Sequence, residues 1–147
     1  MNVRLAVVVA MMAAAAAGCF PKDLIAPPYV GADAATLVFW AELDAVYVEM
    51  DDVILAELPG TREDEVADVS VKVAPGKHIL RPQVYQHAYN FHPGAAPLAV
   101  DCRPGETYIF RVKMHAFGNF IQIVPSSRAE IDRASYEKER KARMKGR

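Results

Sequence analysis

Two thiols and four imidazoles are the side chains of this 147-residue chain best suited to covalent or metal chemistry. Cys19 directly follows Ala16-Ala17-Gly18. Small side chains at those positions let an extended backbone enter a peptidase site, and a thiol is nucleophilic enough to become a thioether. Cys19 is therefore read as a modified residue, not as a metal ligand or disulfide partner. That leaves Cys102 with no second thiol to pair with. In Leu98-Ala99-Val100-Asp101-Cys102, alternation puts Leu98, Val100 and Cys102 on one strand face and predicts a buried, inert thiol. His87 and His92 stand five residues apart, which is neither the spacing of helical zinc ligands nor a short metal loop. A folded loop could still join them with a carboxylate, and this is the basis of an alternative reading as a small metal-dependent hydrolytic enzyme. Tyr85, Tyr89 and Phe91 lie in the same stretch. Exposed, these rings would anchor a protein or glycan partner; folded back, they would close one end of the domain. The sequence has no phosphate-cradling glycine loop, no serine elbow and no informative cysteine–histidine pattern. Glu63, Asp64, Glu65 and Asp68 do not follow the order of a calcium loop and read as a solvated acidic stretch. No catalytic residue and no cofactor is predicted.

The segment before Cys19 explains how that thiol would be presented. Arg4 supplies one basic charge, and every residue from Leu5 to Ala17 is apolar. Thirteen apolar residues suit the hydrophobic region of an export signal and fall short of a membrane-spanning helix, which needs about 20. Ala16-Ala17-Gly18-Cys19 resembles the lipobox of bacterial lipoproteins, where cleavage precedes the cysteine and the thiol receives diacylglycerol. The usual family pattern has a larger aliphatic residue where Ala16 stands. Two or three acyl chains anchor firmly where one does not, because each buried methylene contributes only about 0.8 kcal/mol. Phe20 follows the cysteine. In Gram-negative lipoproteins an aspartate at that place resembles an inner-membrane retention signal, so the resemblance implies an outer-membrane destination facing the periplasm or the cell surface. Residues 1–18 are read as the signal peptide and 19–33 as the lipidated cysteine with a proline-bearing tether.

Residues 34–125 are read as a single β domain, because short strand-like runs alternate with turn residues throughout. Ala35 to Trp40 is apolar on both faces and predicts a central strand covered on both sides. Val46, Val48 and Met50 alternate with Tyr47 and Glu49, and Asp51-Asp52 turns the chain back into Val53–Leu58 as a hairpin. Val69, Val71 and Val73 lead through Pro75-Gly76 into His78–Arg81, while Leu98–Cys102 leads through Pro104-Gly105 into Thr107–Lys113. Both turns are read as hairpin turns. Pro82 should end its strand or mark an edge, and Phe120–Val124 is the last strand. The fold class is all-β: a small antiparallel β-sandwich or open barrel with a short C-terminal helix.

Charge divides the chain. Residues 19–127 carry eight basic and fourteen acidic side chains, whereas 128–147 carry eight basic and four acidic ones. Ser127 with Glu130 resembles a capping box, so a helix should begin at Arg128 in a basic, partly helical tail spanning 126–147. Its apolar residues make no continuous stripe, which predicts a partly frayed, solvated helix. Its charge suits a soluble terminus, or contact with anionic headgroups, an acidic partner or the cell wall. An exported segment on an acidic body is no nucleic-acid binder.

Leu37–Trp40, the strand pair around Asp51-Asp52, Val71–Leu80 and Val100–Val112 together resemble a family of small bacterial domains of unknown function found in exported lipoproteins. They are more loosely similar to surface modules named for a proline-glutamate-glycine-alanine motif. The resemblance runs from Ala34 to Val124 and departs at the long interval between Leu58 and Val69 and at Tyr85–His92. It implies a compact β-sandwich, offers no catalytic residue to carry across, and places His78 in a packing or hydrogen-bonding role beside a turn. The expected protein is a lipid-anchored, non-enzymatic envelope module that binds an envelope protein or cell-wall partner.

Overall fold

Branched and aromatic residues build each of the eight strands seen in the structure, a computed structural model that describes residues 25–41, 46–58, 68–84, 97–114 and 121–146. The strands are β1 (Ala35–Ala41), β2 (Val46–Met50), β3 (Val53–Leu58), β4 (Asp68–Val73), β5 (Gly76–Val84), β6 (Leu98–Cys102), β7 (Thr107–Met114) and β8 (Ile121–Pro125). One helix, α1 (Arg128–Lys145), follows them. The strands form two four-stranded sheets, ordered β4-β1-β7-β8 and β3-β2-β5-β6. This is a small β-sandwich and not a closed barrel. Between the sheets lie Leu37, Phe39, Val46, Val48, Leu80, Phe110 and Val112, all buried. Phe39 and Phe110, partners in register, stack with ring centroids 5.5 Å apart.

Pairing is antiparallel except between β1 and β7, which run parallel from Thr36 opposite Thr107 to Ala41 opposite Val112. The parallel pair arises from the two proline-glycine turns, which are not hairpin turns as the sequence suggested. β4 lies in one sheet and β5 in the other, and likewise β6 and β7, so each turn is an arch that carries the chain across the core. Backbone geometry accounts for this. A two-residue hairpin that matches strand twist wants positive φ at its first central residue, which proline cannot adopt. Asp51 and Asp52 do adopt it, at φ 50° and 68°, and theirs is the true hairpin. Pro104-Gly105 instead makes a turn closed by Glu106 N–H donating to the Arg103 carbonyl (3.2 Å), with Gly105 at φ 73°.

β1 is apolar on both faces because both faces are covered. Its outward residues Val38 and Trp40 pack beneath Ile131 of α1, with Ile109 and Ala134 beside them. Ser127 caps the helix in the predicted capping box. Ser126 accepts from Trp40 Nε1 at 3.1 Å and donates to Glu130 at 2.6 Å, locking the helix start to the sheet. The first turns of α1 are thus docked on the sheet, a contact that the expectation of a partly frayed, solvated helix did not include. A short apolar stripe, Ile131 with Ala134, suffices because the large Trp40 ring is part of the surface it meets. Beyond Lys138 the helix is exposed.

Pro82 does not end its strand. β5 continues to Val84, but its pairing with β6 stops at Leu80, so at Pro82 only β2 stands alongside among the described residues. The missing N–H is tolerated at such a local edge.

The stretch read as a tether changes character at Ile25. Residues 25–33 form a strap along the opposite side of the sandwich. Ile25 bridges Ile54 in parallel, Ala26 N–H donates to the Ile54 carbonyl (2.7 Å), and Tyr29 N–H donates to the Lys72 carbonyl (3.0 Å). The strap therefore closes the edge of β3 in one sheet and of β4 in the other. Gly31 lies against the Tyr29 ring, which would have to shift to admit a Cβ there.

Candidate functional site

The one histidine among the described residues is tied down at both ring nitrogens. The Asp51-Asp52 turn and the first arch both end beside β5, which brings Asp51 to His78 although 27 residues separate them. His78 Nδ1 lies 2.6 Å from Asp51 Oδ2, and Nε2 lies 2.8 Å from the Ala74 carbonyl. Asp51 Oδ1 accepts from Ile79 N–H at 2.9 Å. A carbonyl and an ionised carboxylate can only accept, so both ring nitrogens donate and the ring is an imidazolium. Burial alone would lower the His78 pKa; the bonds to Asp51 and Ala74 and the Asp51 charge outweigh it and raise the pKa. The His78 bond in turn holds the Asp51 carboxyl below its usual value. This clip fastens the hairpin tip to the first arch. It has the hydrogen-bonding role beside a turn that the family resemblance implied.

Cys102 is buried, and desolvation, followed by the nearby Asp101 and Asp51 charges, pushes its thiol pKa up. That is the inert thiol expected from its strand face. On the outer face of the second sheet, Arg81 bridges Asp52 (2.9 Å) and Glu49 (3.4 Å), while Gln83 donates to Glu49 at 3.1 Å. These groups satisfy one another across β2 and β5 and leave no convergent acid–base pair.

An open cleft lies on the side away from the strap. It holds about 410 Å³ and is lined by Leu98, Val100, Tyr108, Phe110, Pro125 and Ser126, among others. It exists because β8 is short. β8 pairs with β7 only from Phe110 to Met114, and after Ser126 N–H bonds the Ile109 carbonyl (2.8 Å) the chain departs into α1. On the side of β7 away from β1, Thr107 to Ile109 then have no strand beside them among the described residues, and neither does the outer edge of β6. The Tyr108 hydroxyl sits at the rim, accepting from Arg103 N–H (2.9 Å) and donating to Glu106 (3.0 Å). Apolar walls from Leu98, Val100, Phe110 and Pro125, with Asp101, Thr107, Tyr108 and Ser126 as the polar groups, suit a binding cleft.

Cys19, the Ala16-Ala17-Gly18 recognition residues, the aromatics Tyr85, Tyr89 and Phe91, and the imidazoles His87 and His92 all lie outside the described residues. Asp68 of the acidic stretch opens β4 and pairs with Arg128 at 3.2 Å. Among the described residues no group of three histidine, cysteine or carboxylate side chains could hold a metal, and no helix is long and apolar enough to cross a membrane. Fold and surfaces together define a small two-sheet β-sandwich closed on one side by its own N-terminal strap and on one face by its C-terminal helix. No protein-family model and no curated protein matches this chain.

Proposed function

We propose that this chain is a lipid-anchored cell-envelope protein whose sandwich serves as a non-enzymatic binding or structural module. The observation that carries the reading is Cys19, preceded by Ala16-Ala17-Gly18 and thirteen apolar residues. Phe20 in place of an aspartate favours the outer membrane. The binding role is supported by the open cleft between β6 and β7, and the non-enzymatic one by the structural use of His78 and Cys102. Partners would be the bilayer, through acyl chains, and an envelope protein or cell-wall component. Mass spectrometry of the membrane fraction tests the anchor: the mature N-terminal peptide should begin at Cys19 and carry a diacylglyceryl thioether, and Cys19→Ala should accumulate with the leader uncleaved. An intact Met1 terminus on unacylated cytoplasmic protein would refute it. A photocrosslinker at Ala99, on the exposed edge beside the cleft, tests the binding role in intact cells; recovery of no specific partner counts against it.

A further inference from the structure

We infer that the sandwich rests on the bilayer by one particular end, the end carrying the Asp51-Asp52 hairpin tip and the two proline-glycine arches; this rests on the lipid-anchored reading of Cys19. Ile25 and Ala26 are pinned to Ile54, one residue from the start of β3 at the hairpin tip. Only five residues separate Cys19 from Ile25. Fully extended, that leash spans about 20 Å. The nine-residue β5 alone runs about 30 Å, so a leash pinned at one end of the sandwich cannot let the other end reach the headgroups with equal freedom.

The surface at this end fits a lipid interface. Val53, the first residue of β3, is 49% exposed, and Ile79, which exchanges hydrogen bonds with Asp51, is 44% exposed. Val30 of the strap, next to the Tyr29 that bonds Lys72 near the first arch, is 93% exposed. Of the other exposed large apolar residues described, Met114 ends β7 at the opposite end, and Tyr136 and Met144 lie on α1. Single exposed apolar residues are ordinary, but three beside the leash attachment are what an interfacial contact needs. Charge does not drive the contact. Lys72, Lys77 and Arg103 at this end are outnumbered by Asp33, Asp51, Asp52, Asp101 and Glu106. The contact should therefore resist added salt.

The test uses the full chain, processed and acylated in cells, then reconstituted into phosphatidylethanolamine–phosphatidylglycerol vesicles bearing nitroxide headgroups. A fluorophore is placed at Val53→Cys, Ile79→Cys, Lys77→Cys or Met114→Cys; buried Cys102 does not compete for label. Quenching should be several-fold stronger at positions 53, 77 and 79 than at 114, and unchanged by salt. Equal quenching at both ends, in protein that floats with the vesicles, overturns the inference while leaving the anchor intact. Protein that fails to float overturns both. A Gly-Ser spacer of roughly a dozen residues between Lys22 and Asp23 should abolish the difference, because a flexible linker of that length frees the domain to rotate. Persistence of the difference with the spacer overturns the leash as its cause.

Discussion

Removing the charge of Asp51 should cost the domain more stability in mild acid than in mild base. The native clip needs both ring nitrogens of His78 to donate, to Asp51 at 2.6 Å and to Ala74 at 2.8 Å. Its pKa is raised above the ordinary 6.5, so its stabilisation is complete below that value and disappears as pH climbs through the higher folded value. Asp51 works in the opposite sense. Its pKa is lowered from 3.8, so its share is present above that value and disappears as pH falls through the depressed one. The clip is strongest between these limits, from mildly acidic pH up to near neutrality. A hydrogen bond to a charged group contributes ~1.5–3 kcal/mol when dry. The His78 side chain is only 12% exposed, but Asp51 is 46% exposed, and screening there reduces the contribution to about 1 kcal/mol. Asp51→Asn keeps the acceptor for Ile79 and loses the charge. Urea unfolding should show the wild type ahead of this variant by about 1 kcal/mol near pH 5.5, with most of that margin gone near pH 8.5. In thermal melts the margin is about 3–6 °C for a domain of this size. An equal margin at both pH values, or an NMR titration of His78 at or below the ordinary value, would refute the imidazolium assignment.

Ile131→Ala removes the side chain that α1 sets over Val38 and Trp40 and should cost about 2–4 kcal/mol in urea unfolding. Ser127→Ala should cost about 1 kcal/mol, accompanied by a loss of helical circular dichroism. The two arch glycines should respond differently. Gly105, at φ 73° with open space around its Cβ position, should accept alanine for roughly 1–2 kcal/mol and asparagine for less. Gly76, at φ 128°, lies outside the left-handed well and should lose more with either residue; equal melting temperatures for the two alanine variants would contradict this. Elemental analysis of the full chain should find zinc well below stoichiometric, and changing His87 and His92 together to alanine should leave stability unchanged. Stoichiometric zinc lost in that variant would favour the hydrolase reading instead.

Local signals in the sequence proved more readable than distant ones. The uniformly apolar run Leu37–Trp40 gave away a strand covered on both faces, and Ser127 with Glu130 marked where the last strand yields to a helix. Both signals are written within a few consecutive residues. The proline-glycine turns were readable as turns but not as arches, since whether the returning strand joins its predecessor or crosses the core is decided by the partners it finds. The docking of α1 was hidden because its stripe is short and its counterpart, Trp40, stands 91 residues from Ile131. The His78 clip was half visible: position beside a turn suggested hydrogen bonding, but nothing near it named Asp51. For the cleft, the shared face of Leu98, Val100 and Cys102 was legible. Its opening depends on where β8 stops relative to β7, a register that no local pattern encodes.

The proline-rich stretch before β1 is where sequence and structure diverge most instructively. Pro27-Pro28 has no N–H to donate, which is why the segment reads as a linker. In the strap those two residues form the span, and the donors flank them: Ala26 serves the β3 edge and Tyr29 the β4 edge. Prolines suit the span because they need no partner while crossing from one sheet to the other and their fixed φ keeps the crossing stiff. The edges so closed are those that most need it. β3 is Val-Ile-Leu-Ala-Glu-Leu, a largely apolar edge that would otherwise invite pairing with another chain. The edges left open are protected by other means. β6 has five residues and carries Asp101, and β8, of the same length, ends at Pro125. Short, charged and proline-ended edges resist indiscriminate pairing, yet the cleft between them keeps apolar walls. Under the proposed binding role, the half-buried Leu98 and Tyr108 would make side chains entering the cleft, more than backbone pairing, the basis of partner choice. Among the described residues the strap thus leaves one lateral surface open, the one across the sandwich from β3 and β4.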